Sequence, residues 1–308
     1  MKLDRRSILL SLALGALSLQ MAPVVAVAQD ITVKHTQGEI SLPAAPKTVL
    51  VFDMASIDTL DALGVEIAGV PASNFPPYLA KYAGDEYAKI GSLFEPDLEA
   101  VNAADADLII VGGRSSAKFA ELSKIAPTID LTVDNTNLVD SVKSNVSLLG
   151  KVFGREKEAA DKIAALDASI AAAREAASGA GKGLLILTTG GKMSAYGPGS
   201  RFGMLHSVFG VEPARADLQA GNHGQAISFE FILEANPDWL FVIDRDAAIG
   251  REGSAAQQML DNDLVGQTNA WKNGHVVYLD PVNWYLVGGG ITALSASADQ
   301  IAKALRKE

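Results

Sequence analysis

Apolar residues cluster in six short runs, at residues 48–53, 66–71, 108–113, 183–189, 239–244 and 275–280. Most are continuous Val, Ile and Leu rather than alternating apolar and polar. That is the pattern of strands covered by helices on both faces. Helical stretches separate the runs, so the alternation predicts α/β layers. Residues 155–178 break the rhythm. They are rich in Ala, Glu and Lys, contain no Gly or Pro, and place Ile163, Leu166 and Ile170 on one narrow stripe. As a helix this stretch would span roughly 36 Å. A Gly-rich segment, 178–183, ends it and a strand follows at once. The predicted architecture is two α/β lobes, an N-terminal one at 29–154 and a C-terminal one at 181–308. One long linking helix at 155–180 joins them, and a ligand cleft lies between them.

The first residues carry a different pattern. Lys2, Arg5 and Arg6 precede an apolar run beginning at Ser7, and small residues lead to Ala26, Val27 and Ala28. A charged start, an apolar middle and an A-x-A site make residues 1–28 a signal peptide. The run is too short to span a bilayer. The Arg5–Arg6 pair leaves both the general secretory and the twin-arginine routes open. The 308-residue chain contains no cysteine. Disulfides, thiolate metal sites, cysteine nucleophiles and lipid anchoring on a cysteine are all excluded. A soluble periplasmic protein is expected. The whole chain has a formal charge of −10, and loss of residues 1–28 removes three basic residues and one acid. So acidic a protein is not suited to nucleic acid, whose binding rests on Lys and Arg neutralising phosphate. If it binds an anion, its positive charge must be concentrated locally.

Two segments, one from each half, repeat a spacing. Glu99 is followed by Asp107, an apolar strand and Arg114; Glu230 is followed by Asp238, an apolar strand and Arg245. A short helix before a strand, running antiparallel to it, puts the helix start and the strand end on one edge of a lobe. Each Glu would then open a helix, where a carboxylate is favoured. Each Arg would stand at a strand's carboxyl end, where open α/β sheets bind ligands. With the lobes facing each other, both arginines point into one cleft and both glutamates lie on its rim. A third arginine, Arg201, lies in a Gly- and Pro-containing turn at 196–203. Pro198 and the lack of a well-placed acid argue against a dinucleotide loop there. The three guanidiniums would form a tripod of fixed cations suited to an oxygen-rich anion.

Of the four histidines, His35 is read as solvated, His206 as packing and His275 as an exposed strand opening. His223 sits in a glycine-flanked loop with no packing reason for an imidazole. Tyr285 lies in the turn 280–290 that follows the last strand. Fe(III) is a hard ion that prefers oxygen donors; a tyrosinate fits it, and imidazole also suits iron. The ion's own charge displaces the phenol proton. A tetradentate chelator would leave two positions for His223 and Tyr285 to complete. A ferric bis-catecholate is also an anion, which the arginines would attract.

The residues at 112–115, 199–203, 222–224, 228–233, 242–245 and 280–286 together resemble the periplasmic binding proteins of ferric catecholate siderophore transporters. The similarity covers essentially the whole mature chain, in order. It implies a binding protein without intrinsic cofactor, not an enzyme, whose cargo is Fe(III) held as a siderophore complex. It implies Arg114, Arg201 and Arg245 as catecholate-holding residues and His223 and Tyr285 as iron ligands. It also implies Glu99 and Glu230 as docking points for the ABC permease, which works with its ATPase at the inner membrane. A monomer with small closure movements is expected. The alternatives are the same fold binding haem, cobalamin or a hydroxamate siderophore; an exported enzyme; and a zinc or manganese carrier. Neutral hydroxamate complexes need fewer cations. The chain has no Gly-x-Ser-x-Gly elbow, His-Glu-x-x-His motif or Walker loop. A divalent-metal carrier would need more converging ligands than His223.

Overall fold

The computed structural model describes residues 30–251 and 255–306; the expected signal peptide at 1–28 lies outside them. The chain opens with an antiparallel hairpin, β1 (Ile31–His35) and β2 (Gly38–Leu42). The first sheet follows: β3 (Val49–Val51), β4 (Gly69–Val70), β5 (Ala88–Lys89), β6 (Leu108–Val111) and β7 (Thr128–Asp130), in the order β5-β4-β3-β6-β7. Every pair in it is parallel. Val49, Leu50, Val51 and residues Leu108 to Val111 have no exposed surface, as continuous apolar runs covered on both faces require.

The second sheet is mixed. It contains β8 (Lys182–Thr189), β9 (Lys192–Tyr196), β10 (Glu212–Pro213), β11 (Gln225–Ile227), β12 (Trp239–Asp244) and β13 (Val276–Tyr278). Its order is β11-β9-β8-β12-β13, with β10 also paired to β8. The strands β8, β12 and β13 run parallel, whereas β9 folds back antiparallel on β8. All six expected strands are present. The β8–β9 hairpin was not expected, although its signal stands in the sequence. Gly190 and Gly191 both adopt positive φ, 53° and 77°, as a two-residue primed turn demands.

The helix Glu156–Ala177 leads from the first sheet to β8. Its buried stripe continues Leu166 and Ile170 with Ala159, Ala173 and Ala177, so small residues carry much of it. It packs against the helix Leu138–Phe153 and against the C-terminal helix Ile291–Leu305. The C-terminal helix also packs on the first helix, Met54–Ala62. One hydrophobic core therefore runs through both lobes. It extends from Val51, Met54 and Ile57, through Leu166 and the last helix's Ile291, Leu294 and Ile301, to Leu185 and Phe241.

Candidate functional site

The two repeated segments occupy equivalent places. Glu99 lies in the first turn of the helix Leu98–Ala103, and Glu230 in the first turn of Phe229–Ala235. Asp97 and Ser228 cap these helices by accepting backbone N–H groups. Both helices are followed by a residue forced to positive φ, Asp105 at 47° and Asn236 at 36°, each six positions after its Glu. Asp107 accepts the amides of Lys47 and Thr48 at 2.9 and 2.8 Å, just before β3. Asp238 accepts the amide of Lys182, the first residue of β8, at 2.8 Å. The repeated acid thus fastens the start of the neighbouring parallel strand in each sheet. Both glutamates are exposed.

Arg114 follows β6 and Arg245 follows β12, at the carboxyl ends of central parallel strands. A buried carboxylate steadies the first: Asp130 accepts from Gln37, Ser116 and Thr132, and the Thr132 hydroxyl accepts from the Gly113 amide at 2.9 Å. Arg201 lies in the turn before the one-turn helix Met204–Ser207. Its amide donates to the Gly221 carbonyl at 3.2 Å, joining its turn to the loop that bears His223. Beneath it, Phe202 packs edge-on against Tyr196, with centroids 4.8 Å apart.

All three guanidiniums meet at Tyr285, which lies in a π-helical turn at Asn283–Val287. Such turns recur at functional sites. Arg114 and Arg201 each donate an Nη2–H to the Tyr285 carbonyl, both at 2.6 Å. Arg245 donates from Nε to the Tyr285 hydroxyl at 2.8 Å and from Nη1 to Thr189 at 3.1 Å. The guanidinium carbons lie 5.3, 4.6 and 5.5 Å from the ring centre for Arg114, Arg201 and Arg245. Among the described residues none of the three makes an ion pair with a carboxylate. Burial and the charge of Arg201 lower the pKa of Arg114. Burial alone would raise the Tyr285 phenol, but the Arg245 hydrogen bond and the charges of Arg201 and Arg245 outweigh it and hold the phenol below its ordinary value.

A cavity of about 580 Å³ opens beside this cluster. Arg114 and Arg201 line it, as do Tyr285, the exposed His223 and its neighbour Asn222. Arg245 is not part of the wall and reaches it through the Tyr285 hydroxyl. Asp53, Phe94, Phe202 and Trp284 also line the cavity, and sequence reasoning singled out none of them. Asp53 is the N-cap of the first helix and accepts from Ser56; burial raises its pKa, against its hydrogen bonds with Ser56 and the nearby charge of Arg114. Trp284 stood next to the chosen Tyr285, but nothing in a sequence tells which of two adjacent aromatics faces a cleft.

Two histidine expectations are corrected. His35 is half-buried against the Phe119 ring, 5.3 Å between centroids, and burial lowers its pKa. His275 is half-buried and stacks flat on Trp239 at 3.9 Å, because Trp239 on β12 offers an indole face beside it. His206 packs as expected, its Nδ1 2.8 Å from the Val211 carbonyl.

A two-lobed α/β body with a cleft at the strand ends, walled by fixed cations, is the architecture of a solute-binding protein. The chain belongs to the periplasmic binding protein family, whose pattern matches residues 49–282. It is 46% identical over 284 residues to the petrobactin-binding protein YclQ of Bacillus subtilis, covering 91% of this chain and 89% of that one. The solved structure of YclQ superposes with a TM-score of 0.87, over 91% of this chain and all of the other. The ferric-anguibactin-binding protein FatB of Vibrio anguillarum is 35% identical, with 89% and 87% covered. The periplasmic catecholate-siderophore binding protein VctP of Vibrio cholerae is 34% identical, with a TM-score of 0.83 over 91% of this chain and all of VctP.

Proposed function

We propose that this protein is the periplasmic substrate-binding component of an iron–siderophore ABC importer. It takes up a ferric catecholate siderophore in the interlobe cleft and delivers it to the inner-membrane permease. The observation that carries this reading is the convergence of Arg114, Arg201 and Arg245, unpaired with any acid among the described residues, on one tyrosine at the cleft wall. Placing three cations together in an acidic protein costs stability unless an anion is to join them. The printed functions of YclQ, FatB and VctP support the same class of cargo. Among the described residues no three His, Asp or Glu side chains gather to hold a metal ion. Iron would therefore bring most of its donors with it, with Tyr285 as phenolate and His223 completing its coordination. Arg114 and Arg201 bind the catecholate oxygens directly, and Arg245 assists through Tyr285.

In this reading residues 1–28 direct export and are removed. The lobes comprise 29–154 and 181–308, with 155–180 linking them, and the mature protein works as a monomer without catalytic activity. Glu99 and Glu230, exposed at corresponding helix starts, dock on the permease. None of the described helices is long and apolar enough to cross a membrane, so the permease and its ATPase supply the passage. The test is a fluorescence-quenching titration of the mature protein with a ferric bis-catecholate, a ferric tris-catecholate and a ferric trihydroxamate. Tight catecholate binding is expected, with the visible absorption band of the bound complex shifted and affinity reduced in His223→Ala and Tyr285→Phe. Failure of both catecholates to bind would overturn the proposal and turn attention to haem and cobalamin.

A further inference from the structure

Phe94 is the most exposed large apolar side chain among the described residues, at 59%, and it lines the cleft. Its backbone is held firmly. Gly91 and Pro96 form a β-bridge, the Ser92 amide donates to the Glu95 carbonyl at 2.8 Å, and the Ser92 hydroxyl accepts from the amides of Phe94 and Glu95. Gly91, at φ 110°, permits this closure, since a Cβ there would stand 2.4 Å from the Glu95 carbonyl oxygen. The turn is also tied to the anion-binding cluster. Glu95 pairs with Lys118 at 2.6 Å, and Lys118 ends the helical turn that carries Arg114.

A ligand filling the cleft would cover the exposed Phe94 ring, and removing that apolar area from water would favour its binding. The neighbouring exposed side chain, Leu98, does not line the cleft, so the ring's position is particular to Phe94. The wall facing the ligand thus offers two different chemistries: guanidinium donors for oxygens, and an uncommitted aromatic face. A metal-bound aryl chelator presents both matching features. Aromatic rings pack on one another with a preference beyond simple area burial.

We propose that Phe94 is a specificity-determining residue on which an aromatic ring of the bound ferric chelator packs, favouring aryl-bearing siderophores over aliphatic ones. This inference rests on the siderophore-binding reading above. The test measures affinity for a ferric bis-catecholate in the unsubstituted protein, Phe94→Ala, Phe94→Leu and Phe94→Trp, with thermal melts to show that each is folded. Phe94→Ala is expected to bind roughly tenfold more weakly. Phe94→Leu, which keeps apolar area without a ring, should also be weakened several-fold, and Phe94→Trp should stay within about twofold of the parent. Unchanged affinity in Phe94→Ala would overturn the inference while leaving the siderophore reading intact, and so would full affinity in Phe94→Leu. Impaired cellular uptake with unchanged affinity would overturn it as well, placing Phe94 on a permease-facing surface. Absence of catecholate binding by the unsubstituted protein would remove the reading and this inference together.

Discussion

Tyr285 is bound at both ends. Arg114 from the first lobe and Arg201 from the second share its carbonyl, while Arg245 holds its hydroxyl. A ligand that engages Arg114 and Arg201 therefore competes for, or extends, contacts that already span the cleft. Replacing either with Ala removes a half-buried charged donor and should weaken ferric catecholate binding by about 2–5 kcal/mol. Arg245→Ala should differ in kind. Burial pushes the Tyr285 phenol up and Arg245 helps to pull it down, so the variant should ionise its tyrosine at higher pH. Ultraviolet difference absorbance of the ligand-free protein, against Tyr285→Phe as blank, would show this; an unchanged titration would contradict it. At this scale the sequence revealed the arginines because Arg114 and Arg245 recur at one offset and Arg201 sits in a marked turn. It could not reveal Asp53 or Phe94, which carry no pattern of their own and join the cleft only when distant parts of the chain meet.

Among the elements, the C-terminal helix shows how a buried charge serves the architecture. Asp58, with no exposed surface, accepts the amides of Thr292 and Ala293 at 2.8 and 3.1 Å and the Tyr78 hydroxyl at 2.7 Å. The Tyr78 oxygen also lies 3.2 Å from Oδ1 of Asn283, on the turn that bears Tyr285. The carboxylate completes the helix start, where negative charge is favoured. Burial nevertheless raises its pKa from 3.8 to about 6, against those hydrogen bonds. Between these values the folded protein holds a proton that the unfolded chain has released. This group's contribution is therefore complete at the acid end and is lost as pH rises through about 6. Denaturant melts across that window should show the slope, and Asp58→Asn should lose it. Asp58→Ala, which strands two amides and a hydroxyl, should cost at least about 2 kcal/mol. None of this could be read from an Asp inside an amphipathic helix. The long Val, Ile and Leu strands were legible because burial on both faces writes itself into composition. Short strands such as β7, whose Thr128–Asp130 includes an acid, did not stand out because their stability comes from neighbours.

Across the whole molecule, one core passes through both lobes and the long helix between them. A shared core opposes wide hinge opening, so the permease recognition proposed above would rely on features present in both the ligand-free and the ligand-bound protein. Glu99 and Glu230, exposed at equivalent helix starts, are such features. Charge reversal at either, Glu99→Lys or Glu230→Lys, should reduce uptake of the ferric complex into cells while leaving affinity in solution unchanged. A loss of affinity instead would place the residue in the pocket.

The placement of the last helix also sets an order of events. Met54 and Ile57 of the first helix share their core with Ile291 and Leu294, nearly the length of the chain away, and Asp58 finds its amide partners only on that helix. Domains made in sequence generally fold as they emerge, but here the first helix, Met54–Ala62, gains its packing on Ile291–Leu305 only after the second lobe has been made. The first helix therefore cannot reach its native packing before the C-terminal helix does, and the two ends of the chain complete their folding together.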